Sequence, residues 1–157
     1  MKLKNYQKYL NKLLDQSAMW EVTVYSASLK AALGEYVSGK RVINLDENMD
    51  ESEEIAVLLH ELGHFMDDME YPKLNSEKIL LAAYGDIYAK EENVVLSRKA
   101  RDLVVECERR AWEKGRVVAK KLKIPLGSWY DKEELAGISE YLSIKLKKPI
   151  YNKRKRK

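Results

Sequence analysis

The 157 residues contain two histidines, and they stand four apart with a glutamate directly after the first: His60-Glu61-Leu62-Gly63-His64. On an α-helix four residues make one turn plus about 40°, so both imidazoles leave the same face. A pair at that spacing can bind one Zn²⁺ ion as two ligands of a tetrahedral site. Glu61 sits about 100° around from His60. It therefore lies beside such an ion rather than aimed at it, within reach of the proton of a water there. The pattern constrains the fold as well as the chemistry. It needs a rigid helix, buried along its back and open along its front.

The flanking sequence supplies that helix. Asp50-Glu51-Ser52-Glu53 has the form of a capping box, with Asp50 as N-cap and Glu53 three residues on. The helix is expected to run to about Met69, with Pro72 marking its end. With His60 at 0°, Ile55, Leu59, Leu62 and Met66 fall between about 200° and 260°, a core-facing stripe away from the histidines.

Other segments read as follows. Leu3, Tyr6, Leu10, Leu13 and Leu14 recur at helical intervals and predict an amphipathic helix over 2–15. Trp20 to Val24 alternates apolar and polar as a half-buried strand does, and a second β segment is expected from Glu35 to Leu45 with a turn at 37–40. Further helices are expected over 75–91 and over 97–123, the latter closed by Pro125 and Gly127. A last helix opens at Asp131-Lys132-Glu133-Glu134 and fades before Pro149. The fold class is α+β and mostly helical: a small β region, then the motif helix, then more helices.

A zinc ion held by protein with one position left open needs a third ligand, and without a third histidine it must be a carboxylate or Cys107. On the 97–123 helix, with Val104 at 0°, the apolar residues lie between about 300° and 80°. Glu108 falls at about 40°, inside that arc, whereas Glu106 and Glu113 fall on the opposite side. A carboxylate in an apolar face is costly unless a positive group meets it. Zinc would serve, as would an Arg or Lys from elsewhere. Glu108 is the expected ligand, and Cys107 reads as a small core residue. Asp67 and Asp68 lie one turn past His64; either a solvated helix end or an acceptor for a ligand imidazole N–H accounts for them.

Composition bounds the remaining possibilities. With 45% hydrophobic and 34% charged residues and a net charge of +4, the chain is not globally disordered. One cysteine excludes a disulfide framework. No apolar run suits a membrane span or a signal peptide, so a cytoplasmic protein is expected. Residues 152–157 carry five positive charges. Without them the chain is close to neutral, so 1–151 is expected as a single domain and 152–157 as a disordered basic tail. That tail would touch nucleic acid weakly at most.

His60-Glu61-Leu62-Gly63-His64, followed by Glu108-Arg109-Arg110-Ala111 on a later helix and preceded by Arg41-Val42-Ile43-Asn44-Leu45, resembles the zinc metallopeptidases of the ImmA/IrrE type, found in bacterial prophages and mobile elements. The resemblance covers roughly 36–66 and 104–119, and the expected helix at 75–91 lengthens the interval between its two parts. It implies a gluzincin-like zincin domain with Glu61 as general base and His60, His64 and Glu108 on one zinc ion. It also implies a protein or peptide substrate, repressor-like regulators included. The strand ending at Leu45 is expected to pair with an extended substrate. The alternative reading is a non-catalytic protein-binding module stabilised by zinc.

Overall fold

The computed structural model describes residues 1–30, 32–90 and 93–148. The expected tail at 152–157, and the end of the expected 1–151 domain, lie outside the described residues.

The fold is α+β and mostly helical. In chain order it comprises α1 (Tyr6–Met19), β1 (Thr23–Ala27), β2 (Gly34–Val37), β3 (Val42–Asp46), α2 (Glu51–Glu70), α3 (Pro72–Asn75), α4 (Lys78–Lys90), β4 (Val95–Leu96), α5 (Arg98–Lys121), α6 (Ser128–Leu142) and β5 (Lys145–Leu146). Two boundaries differ from the sequence reading for identifiable reasons. α1 runs through to Met19 with Trp20 as its C-cap, and Glu21 takes a positive φ of 56°, so the first strand starts at Thr23 rather than Trp20. α6 begins at Ser128, three residues before the expected capping box. Tyr130 is fully buried and donates its hydroxyl to the Trp112 carbonyl at 2.7 Å, which draws this turn into the helix.

The three-stranded sheet has the order β1-β3-β2, with β1 parallel and β2 antiparallel to β3. This corrects the expected substrate strand. β3, which carries Leu45, is hydrogen-bonded on both sides and has no free edge. The edge beside the motif helix belongs to β2. A short parallel pair, β4 with β5, has no signal in the sequence reading; two-residue strands carry too little periodicity to register.

α2 is the central element. Its capping box forms as read, with Asp50 Oδ1 accepting from the Glu53 amide at 2.9 Å and Glu53 Oε2 from the Asp50 amide at 3.0 Å. Ile55, Leu58, Leu59 and Leu62 are fully buried, each contributing about 2 kcal/mol by removal from water. They join Ile43 and Leu45 of β3, Leu13 of α1, and Trp112 and Val118 of α5 in the main core. On the other side of α5, Leu80 and Ala83 of α4 meet Val104 and Cys107 in a second cluster. α5 is thus buried along two faces and fixed firmly against α2. No helix among the described residues is long and apolar enough to cross a membrane.

Candidate metal centre

His60 and His64 project from α2 toward α5, and Glu108 comes from α5 to meet them. Glu108 Oε2 lies 2.9 Å from His60 Nε2, and Oε1 lies 3.2 Å from His64 Nε2. One donor atom from each residue lies within 4.8 Å of the other two. These separations resemble the ~3.3 Å edges of a tetrahedron around zinc with bonds near 2.0 Å. Two imidazole nitrogens and one carboxylate suit a divalent cation, and the group is nearly closed to solvent, with Glu108 at 3% exposure. These residues could hold a metal ion. Among the described residues no fourth His, Cys, Asp or Glu joins the group, which leaves a coordination position open.

The electrostatics of the site ask for positive charge. Burial alone would push the Glu108 carboxyl up, but the His64 and His60 imidazoles outweigh it and hold the group below the usual carboxylate range. Burial likewise disfavours a charged His64, and Glu108 outweighs it, holding the imidazole well above its ordinary value. Glu61, buried on the same helix, is raised, chiefly by burial; His60 and His64 and the Tyr36 backbone amide work against the rise, and Glu108 adds to it. A carboxylate made more basic at the edge of a cation site suits proton transfer.

Packing orients the ligands. The His60 ring stacks on Trp112, centroids 4.2 Å apart and planes 22° from parallel, and meets His64 edge-on at 4.5 Å. His60 Nδ1 is buried without a hydrogen-bond partner, so stacking rather than a second acceptor sets this ring. Glu108 has a further partner: the Tyr84 hydroxyl of α4 donates to Oε1 at 2.6 Å.

The hydrogen bonds of Asp67 and Asp68 go elsewhere than to the imidazoles. Asp67 is fully buried, not a solvated helix end; it accepts from Arg110 Nε at 3.1 Å and from Asn75 Nδ2 at 2.9 Å. Asp68 accepts from the Ser38 hydroxyl at 2.7 Å. Cys107 is buried, with its thiol directed to Asn75 Oδ1 at 3.8 Å, and does not join the ligand group. Glu106 and Glu113 are exposed, on the side of α5 away from the histidines.

Two cavities, of about 380 and 180 Å³, open over the centre and share His60, Glu61 and Glu108 in their linings. Gly34 of β2 forms part of the wall of both; a Cβ there would lie 3.2 Å from Glu61 Cγ, so the strand edge runs directly along Glu61. α6 forms the opposite wall of the larger cavity through Glu133, Gly137 and Tyr141. Tyr88 and Tyr141 border both cavities. The hydroxyls of both are raised, first by burial and then by Glu108 and Glu61 among their neighbours, so they remain protonated donors at neutral pH. The sequence reading singled out no tyrosine. Tyr84 and Tyr88 do share one spacing of four on the apolar side of α4, but that pattern equally describes core packing.

Compared with protein-family models, curated proteins and solved structures, the chain matches none.

Proposed function

We propose that the chain is a zinc-dependent endopeptidase. One observation carries the reading: a buried two-histidine, one-glutamate group with an open coordination position lies next to a second buried glutamate, under a cavity edged by a β-strand. Zinc, when bound, supplies a Lewis acid that polarises a carbonyl and makes water nucleophilic near neutral pH.

This chain's own residues do the rest. His60, His64 and Glu108 hold the ion. Glu61 accepts the proton of the attacking water and passes it to the leaving amine nitrogen. The free edge of β2 pairs with an extended peptide and brings its scissile bond over α2. Tyr88 and Tyr141 donate to the carbonyl oxygen as charge develops on it. A closed structural zinc site would have no use for Glu61 or for an open position, which separates this reading from a zinc-stabilised binding module. The resemblance to ImmA/IrrE-type peptidases points to a repressor-like regulator as the substrate class.

The test is Glu61→Gln, assayed for metal content and for hydrolysis of a protein and peptide panel. The expected result is zinc retained and cleavage lost. Cleavage at the wild-type rate would remove Glu61 as general base.

A further inference from the structure

α4 lies in the chain between α2 and α5, the two helices that carry the metal group, and the zinc reading above gives it no role in holding the ion. It packs on α5 through Leu80 and Ala83, while Ile79 and Leu81 stay 42% and 53% exposed. A helix kept only for the core would bury more of its apolar surface. What α4 delivers instead is the Tyr84 hydroxyl, which reaches Glu108 Oε1 at 2.6 Å, a short, charge-assisted hydrogen bond.

We infer that Tyr84 is a positioning residue for the metal centre: it fixes the Glu108 carboxylate and thereby makes α4 part of the zinc site. The inference rests on the zinc reading above and extends it to a residue outside the motif. A carboxylate on a helix has free rotation about its last bonds, and of its two oxygens only one need face the ion. Tyr84 engages Oε1, the oxygen 3.2 Å from His64 Nε2, while Oε2 lies 2.9 Å from His60 Nε2, so the hydroxyl holds the carboxylate in the orientation that faces both imidazoles. Holding the carboxylate this way before the ion arrives removes an ordering cost from binding, and such outer partners typically carry 10- to 100-fold in metal affinity. No other hydroxyl donates to Glu108 among the described residues.

The test compares Tyr84→Phe with Leu13→Ala in the full chain. The first keeps the ring and removes the hydroxyl; the second opens a cavity in the main core at α1, away from α4 and Glu108. Zinc affinity is measured by competition with a chelating dye, thermal stability by melting of the metal-free protein, and ligand geometry by the visible spectrum of the cobalt(II)-substituted protein. The expected result is a zinc affinity about 10- to 100-fold weaker and a shifted cobalt spectrum in Tyr84→Phe, with a melting temperature close to wild type. Leu13→Ala is expected to melt earlier with its affinity and spectrum kept. Wild-type affinity in Tyr84→Phe would overturn the inference, as would loss of affinity in both variants in proportion to lost stability. Failure of the wild-type chain to bind zinc would instead remove the metal centre itself, and the inference with it.

Discussion

Gly63 of α2 lies against the Ala111 carbonyl of α5 so closely that a Cβ on Gly63 would overlap that oxygen, and the Gly115 amide nitrogen would sit 3.0 Å away. Gly115 returns the contact, with its own Cβ position 3.0 Å from the Leu59 carbonyl oxygen. The two helices therefore touch backbone to backbone at the point where α2 carries its histidines. That approach brings Glu108, one turn before Ala111, within 3.2 Å of both imidazoles.

Gly63→Ala should then part the helices. In a free helix this substitution would stabilise by about 1 kcal/mol, because alanine is the better helix former. Here the overlap with backbone reverses the sign, and a net loss of about 2–3 kcal/mol is expected from overpacking, together with weakened zinc binding. Denaturant unfolding and metal titration check this. Equal or higher stability with full zinc affinity would show that the crossing does not set the site.

Arg110→Ala is expected to cost about 3 kcal/mol, since it leaves the fully buried Asp67 carboxylate without its cation. Asn75 remains as its one side-chain donor. Because neither residue touches an imidazole, zinc stoichiometry should stay at the wild-type level. Urea unfolding beside elemental analysis distinguishes the outcomes, and lost metal in a folded Arg110→Ala protein would make the pair part of the centre.

The ion pair within the metal-free centre sets a pH dependence. His64 is raised above its ordinary value, burial opposing and Glu108 outweighing it. Its contribution to stability is therefore complete below the unfolded imidazole value of about 6.5, and is lost as pH climbs through the raised folded value. Glu108 is held down, so its contribution is present above about 4.3 and is lost as pH falls through its depressed value. The metal-free protein should lose stability from this pair on both sides of that window. Zinc needs the neutral imidazole, so its uptake near neutral pH should release a proton and its apparent affinity should rise with pH. Unfolding midpoints against pH and calorimetry in buffers of different ionisation enthalpy measure both effects. A flat profile with no proton release would contradict the pairing.

Local chemistry explains what was legible in the sequence. The capping box at Asp50 and Glu53, the spacing of His60 and His64, and the place of Glu108 inside an apolar arc all follow from the geometry of single helices. Relations between elements were not legible. That β3 takes the middle of the sheet depends on β1 arriving in parallel from the other side, which no alternation pattern encodes. Asp67 reads as a helix-end acid until Arg110, forty-three residues on, is folded against it. Tyr84 reads as one more apolar residue on α4 because its hydroxyl has meaning only beside Glu108.

The most direct measurement is the zinc content of the purified wild-type chain beside Glu108→Ala, by elemental analysis after exhaustive dialysis. The account predicts about one zinc per chain in the wild type and a sharp loss in the variant. Zinc retained in full by Glu108→Ala, or none taken up by the wild type when zinc is supplied, would contradict it.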